Sequence, residues 1–181
     1  MPQEAPSNQA DHADGAGHND SFARAFFADA MLGRLARWLR MLGYDTAYEK
    51  FIADDELAAR VLAEDRWLLT RDRYLVRRRV LRGRHTLIAD DHVQDQLRQL
   101  RRELHLRLSV GDQTAHRCAD CNTALIPMSA AEAAPLIPPV VASQYPTFMC
   151  CPTCRRLFWP GTQWTSFLDR LARIRDGAAR P

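Results

Sequence analysis

Three apolar runs, residues 25–29, 67–72 and 86–91, each finish on aspartate: Asp29, Asp72, and the pair Asp90 and Asp91. If helices separate these runs, they are parallel strands of an open α/β sheet, whose carboxyl ends line the ligand crevice. The acids then meet in one place. Carboxylates gathered with no obvious basic partner repel by roughly 4 kcal/mol per pair at 4 Å and an effective dielectric near 20. A divalent cation is the simplest compensation. Hard oxygen donors select Mg2+ or Mn2+, ions that keep several waters and engage substrate phosphates. Two such ions activate a water and stabilise the leaving oxygen of a phosphodiester. Asp54, Asp55 and Glu56 begin a helical pattern that opens towards the same edge. The Thr70 hydroxyl, two residues before Asp72, is placed to orient a ligand or a metal-bound water. Any one of these aspartates alone is more simply a helix cap or turn residue. Their recurrence at successive strand ends is what argues for a site.

A second constellation is more specific. Cys118 and Cys121 form one C-x-x-C pair and Cys151 and Cys154 another, around a Pro- and Ala-rich segment. Two such pairs supply four thiolates to a tetrahedral Zn2+, with no position left for water, so the centre is structural. Disulfides do not suit a chain without a secretory signal, and a redox pair needs no matching second pair. Cys150 is the odd cysteine; the Pro-containing turn favours Cys151 as the ligand.

These groups need elements to hold them. Leu32, Leu35, Ala36, Leu39 and Leu42 recur at three- and four-residue spacing, one buried helical face, and Gly43 is its natural stop. Residues 44–48 alternate as a second strand. Asp54 or Asp55 caps a helix carrying Leu57, Ala58, Val61 and Leu62. Residues 67–69 form the next strand, 73–82 a short basic helix and 85–89 another strand. Asp90 or Asp91 opens a helix with Val93, Leu97 and Leu100, and 105–110 alternates as a last, half-buried strand. The expected class is α/β, a mostly parallel sheet with helices on both faces. The expected division is a disordered, acidic lead-in over 1–23, an α/β domain over 24–112, a cysteine module over 113–176 and a tail over 177–181. The module closes on an amphipathic helix with Trp164, Phe167, Leu168, Leu171 and Ile174.

The formal charge is only +3, yet Lys50 is the lone lysine among 25 basic residues. A compositional bias accounts for much of the arginine excess. The local cluster of Arg71, Arg73, Arg77 and Arg78 borders the proposed acidic crevice, and the arginine fork binds phosphate oxygens bidentately. A basic start followed by an apolar core, as a secretory signal requires, is not found. Nor is an apolar stretch near the ~20 residues of a membrane span. The expectation is a cytoplasmic protein without membrane contact.

The run from Phe27 to Thr46, Phe-Ala-Asp-Ala-Met-Leu-Gly-Arg-Leu-Ala-Arg-Trp-Leu-Arg-Met-Leu-Gly-Tyr-Asp-Thr, resembles the opening of the PIN-like ribonuclease domain at the carboxyl terminus of Mut-seven exonucleases. That domain also occurs alone in bacterial and archaeal proteins. Asp54-Asp-Glu-Leu, Leu69-Thr-Arg-Asp, Cys151-Pro-Thr-Cys and Phe158-Trp-Pro-Gly match the same family in order. The resemblance implies a PIN-like three-layer fold, an acidic Mg2+- or Mn2+-dependent ribonuclease site and an appended zinc ribbon. Under it Asp29 is the first-strand acid and Asp72 the acid after the Thr-containing strand. Asp55, or its neighbour Asp54, is the helix acid; Asp90, with Asp91 as fallback, is the last. One departure is that the family usually has a histidine near the position of Gln163.

The leading expectation is therefore a metal-dependent ribonuclease acting on RNA, with Arg34, Arg71, Arg73, Arg77 and Arg78 attracting the RNA backbone. The alternative is a non-catalytic RNA- or ribosome-associated zinc-ribbon adaptor. A phospho-receiver needs a lysine near its active aspartate, and Lys50 is poorly placed. An aspartyl-nucleophile phosphatase needs a second Asp two residues after the first, where this chain has Met31.

Overall fold

The chain alternates short strands with helices from residue 24 onwards, as the apolar runs predict. The structure, a computed structural model, describes residues 24–110 and 116–176. The expected lead-in, the tail and the boundary near 112 lie outside the described residues. Four strands form the main sheet: β1 (Phe26–Ala28), β2 (Thr46–Tyr48), β3 (Trp67–Thr70) and β4 (His85–Leu87). Their order is β2-β1-β3-β4 and every pairing is parallel, with Ala28 beside Leu69 and Thr70 beside Leu87. Each connection is a crossover, so the three strands that precede an aspartate all deliver it to the same edge.

Both faces of the sheet are covered. Strand side chains alternate between faces, and Phe26, Ala28 and Leu69 join one buried cluster while Phe27 and Leu68 join another. The first cluster is capped by α1 (Gly33–Met41) and α3 (Val93–Leu104), the second by α2 (Asp54–Ala63). The periodicity of α1 is fully realised: Leu32, Leu35, Ala36, Leu39 and Leu42 are all buried. Burying a leucine or phenylalanine stabilises by about 1.5–3 kcal/mol, so this face anchors the first acid to the sheet. Gly43, at φ 97°, ends the helix in the left-handed conformation that glycine adopts without strain.

Four local expectations are corrected. The residue at the start of α2 is Ala53, with Asp54, Asp55 and Glu56 inside the first turn. That of α3 is His92 rather than Asp90 or Asp91. Residues 73–82 are not one helix but two 3-10 turns, Leu75–Arg77 and Arg79–Leu81, parted by Arg78 in extended conformation. Residues 105–110 are not a strand. His105 ends α3 in the left-handed conformation, and the backbone of Arg107 pairs instead with the Tyr44 hydroxyl, whose oxygen accepts from Arg107 N (2.8 Å) and donates to Arg107 O (3.1 Å).

The cysteine half is a three-stranded antiparallel sheet, β5 (Ile126–Ser129), β6 (Thr147–Cys150) and β7 (Leu157–Phe158), in sequence order. Between β5 and β6 run α4 (Ala130–Ala133) and α5 (Pro139–Gln144), and α6 (Thr162–Arg175) closes the chain. Trp164, Phe167, Leu171 and Ile174 of α6 are buried in the same cluster as Leu35 and Leu39 of α1, along with Cys118 and Cys151. No helix among the described residues is long and apolar enough to cross a membrane.

Candidate active site and metal centre

Asp29 follows β1 directly and is 5% exposed. Its Oδ1 accepts from Met31 N (2.9 Å), which caps the 3-10 turn leading into α1. Its Oδ2 accepts from the Thr70 hydroxyl and from Arg71 N (3.0 Å). Thr70 Oγ1 in turn accepts from Asp72 N (2.9 Å). One fully buried hydroxyl therefore joins the first acid to the turn that presents the second. Asp72 Oδ1 accepts from Tyr74 N (2.6 Å) and Leu75 N (3.2 Å), leaving its other oxygen without a partner among the described residues.

Asp54, Asp55 and Asp91 pair directly with arginines of the cluster expected to border them. Arg78 pairs with Asp55 and, at 3.9 Å, with Asp54. Its guanidinium is held above the ordinary arginine value by the hydrogen bond to Asp55 and then by the charges of Asp55, Asp54 and Asp72, so these three carboxylates share one neighbourhood. Arg71, whose amide holds Asp29, pairs its side chain with Asp91. The expectation of acids lacking a basic partner is corrected: Arg71 and Arg78 supply part of the compensation assigned to cations. Asp91 thus turns towards the Asp29 network. Asp90 lines a shallow pocket of about 250 Å³ with Asp95, Arg98 and Glu103 on the α3 side. Of the expected RNA-binding residues, Arg34, Arg73 and Arg77 are exposed, and Arg77 lies 5.5 Å from the Tyr74 ring.

Among the described residues, the side chains that meet as a group of three or more potential metal ligands are Cys118, Cys121, Cys151 and Cys154, with ligand atoms all within 4.8 Å of one another. The acids do not form such an all-protein cage. They suit an ion that uses one or two carboxylates and takes its other ligands from water and phosphate.

The cysteine centre is built from two matching knuckles. Cys118 N donates to Thr123 O and Asn122 N to Cys118 O; Cys151 N donates to Arg156 O and Arg155 N to Cys151 O. After each pair comes a left-handed residue, Asn122 at φ 69° and Arg155 at φ 62°. The sulfurs of Cys118 and Cys154 lie 3.5 Å apart and those of Cys121 and Cys151 3.4 Å apart. Four Zn–S bonds of about 2.3 Å at tetrahedral angles require about 3.8 Å, so the set fits one zinc and is too wide for disulfides. Cys150 is buried outside this group. Burial pushes the Cys118 thiol up to about 12, whereas at Cys121 the hydrogen bonding with Thr123, Cys151 and Cys118 outweighs burial and draws the thiol down to about 6.

Residues not foreseen in the sequence fasten the two halves. Buried Arg40 of α1 donates to Thr46 O (2.8 Å), Ala119 O (3.1 Å) and Asp120 O (2.8 Å), clamping the first knuckle to the sheet edge. Asn122 accepts from Thr46 N (3.0 Å) and donates to Asp45 (2.8 Å), which also pairs with Arg66 (2.6 Å) and Arg117 (3.4 Å). The signal for Asn122 was present, since asparagine is enriched in the left-handed conformation.

A three-layer α/β unit with an acidic carboxyl edge, continuous with a four-cysteine ribbon, defines a PIN-like nuclease class. The chain belongs to the Mut7-C RNAse domain family, which matches residues 24–171 and so includes the ribbon and most of α6. It is thus a nuclease-type enzyme domain of a ribonuclease family. Neither curated proteins nor solved structures give a match.

Proposed function

We propose that this protein is a divalent-metal-dependent ribonuclease that hydrolyses RNA phosphodiesters at the edge where Asp29, Asp72 and Asp55 converge. The observation that carries the reading is the buried Asp29 carboxylate, fixed by Thr70 and the Arg71 amide at the carboxyl edge of a parallel sheet. Mg2+ or Mn2+ bound there would supply electrostatic stabilisation and an acidified water. Asp29 Oδ1 and the free oxygen of Asp72 are the donors with lone pairs to spare, and Asp54, Asp55 and Asp91 complete the negative rim, with Asp90 beside it. Thr70 keeps Asp29 from rotating. Arg71 and Arg78 are positioned to release their acids to an ion and take the phosphate oxygens instead, since both anions suit the same fork. In this reading zinc fills the four-cysteine centre and serves structure alone, and the protein works in the cytoplasm.

Asp29→Asn should abolish cleavage of single-stranded RNA in Mg2+ or Mn2+ while the protein still folds and keeps its zinc, melting somewhat lower because the amide nitrogen cannot accept the bonds that a carboxylate oxygen accepts. Equal cleavage by the folded variant would refute the assignment. The pairing of Asp54, Asp55 and Asp91 with arginines favours a second reading, a non-catalytic RNA-binding adaptor. RNA binding in the absence of divalent ions, with no cleavage when Mg2+ or Mn2+ is supplied, would select it.

A further inference from the structure

A concavity lies away from the acids, where the ribbon meets α1 and α6. It encloses about 550 Å³, and its walls include Met41 of α1, Phe148 of β6, Phe158 of β7, Trp159 and Gln163. Trp159 is one of its aromatic walls. The indole stands edge-on to Phe148, with centroids 6.1 Å apart and planes at 61°. A Cβ at Gly161 would fall 2.7 Å from Trp159 Nε1, so this glycine is what lets the indole lie over the backbone. Trp159 Nε1 has no hydrogen-bond partner among the described residues, and neither has the exposed Gln163 amide. A core tryptophan would be covered and bonded; this one is half-buried and faces an open groove.

Charge tells what the groove would take. Arg34, Arg37 and Met41 fall at i, i+3 and i+7 on α1, one face of the helix. Arg34 and Arg37 are exposed, and Met41 and Arg37 themselves wall the groove. A basic track therefore runs from the end of α1 next to Asp29 to the aromatic groove. From Gly33 to Met41 the helix rises about 12 Å, about three or four stacked nucleotides at ~3.4 Å each. Arg37 shares Asp120 with Arg156, so two guanidiniums meet one carboxylate beside the groove and the balance there stays positive.

We propose that this groove is a base-binding subsite for the RNA strand, in which one unstacked nucleobase inserts over Trp159 while the strand's phosphates follow Arg34 and Arg37 towards the acids. This deepens the ribonuclease reading and rests on it for the direction of the strand. Single-stranded RNA is recognised by splaying bases onto aromatic rings and bonding their edges, and tryptophan, phenylalanine and a free amide supply both. The amide of Gln163 offers a donor and an acceptor side by side, the pattern that matches the N6 and N7 edge of adenine. Gln163 thus sets which base is preferred.

Binding of end-labelled oligoadenylate and oligouridylate, without added divalent ions, tests the subsite independently of any cleavage. Trp159→Ala should weaken oligoadenylate binding by about 10-fold, and Trp159→Phe should keep it within about 3-fold of wild type. Gln163→Ala, at an exposed residue with no bond in the fold, should erase the preference for oligoadenylate. Zinc content and melting temperature monitor folding. Trp159→Ala binding within about 2-fold of wild type, or an unchanged base preference in Gln163→Ala, would overturn the proposal. So would a wild-type protein whose groove variants lose self-association but not RNA affinity, which would assign the groove to a second copy. A protein that binds RNA through Trp159 yet never cleaves it would leave the subsite standing and remove the nuclease reading.

Discussion

Thr70 holds the candidate site through a single oxygen that donates to Asp29 and accepts from Asp72 N in a position with no solvent access. Thr70→Val keeps the shape and removes the oxygen, leaving an amide and a buried carboxylate oxygen each short of a partner, at a cost of about 1–3 kcal/mol. Thr70→Ser keeps the hydroxyl and should stay within about 1 kcal/mol of wild type. Urea unfolding separates the two, and RNA cleavage should fall sharply in the valine variant and only slightly in the serine variant. A valine variant as active as wild type would show that Asp29 needs no tether. The acids were legible because strand ends recur in the sequence; their partners were not. Arg78 reaches Asp55 only because the chain extends between two 3-10 turns, a conformation that no residue pattern in 73–82 announces. Strain at the second knuckle is a separate residue-level matter. Arg155 adopts φ 62° where Asn122 does so at the first knuckle, and a non-glycine residue there costs roughly 1–2 kcal/mol. Arg155→Gly should therefore raise stability in thermal melts, whereas Asn122→Gly should lower it by losing the bonds to Thr46 and Asp45.

Elements with a self-contained apolar face were readable, and those that depend on distant partners were not. The buried stripe of α1 and the apolar runs of β1 and β3 carry their own periodicity. Residues 105–110 alternate like a strand because Leu106 and Leu108 do reach the core, but strand pairing needs a neighbour, and the backbone at Arg107 is met by Tyr44. The docking of the first knuckle against β2 was equally invisible, being made by Arg40 and Asp45 across a long stretch of chain. It has a pH signature. Burial raises the Asp45 carboxyl, but hydrogen bonds from Arg66 and Asn122, with the charges of Arg66 and Arg117, outweigh burial and hold it below its usual 3.8. A carboxylate depressed in the folded state binds fewer protons there than in the unfolded chain, so its contribution is complete above about pH 5 and is lost as pH falls below 4 through the folded value. Asp45→Asn should cost about 1–2 kcal/mol at pH 7, and the gap to wild type should close progressively in acid. A gap independent of pH would assign the loss to shape rather than charge.

At the scale of the molecule, the ribbon and the sheet domain share one interior. Cys118 and Cys151 lie in the same buried cluster as Leu35 and Leu39 of α1 and Trp164 and Phe167 of α6, with Trp38 packed against Phe167 at 4.8 Å between ring centroids. The two C-x-x-C pairs announced the centre in sequence, but not that it closes the core of the half that carries the acids. Four-cysteine zinc contributes on the order of 10–16 kcal/mol of apparent folding free energy, comparable to the whole stability of a domain at ~5–15 kcal/mol. Stripping the metal with a zinc-selective chelator should therefore lower the melting temperature of the entire protein in one transition, monitored together by α-helical circular dichroism and tryptophan fluorescence. RNA cleavage should be lost in step, with excess Mg2+ present throughout, and should return with zinc but not with more Mg2+. Two separate transitions, with helicity of the sheet domain preserved at the original temperature, would mean that the ribbon folds on its own and that the acids need nothing from it.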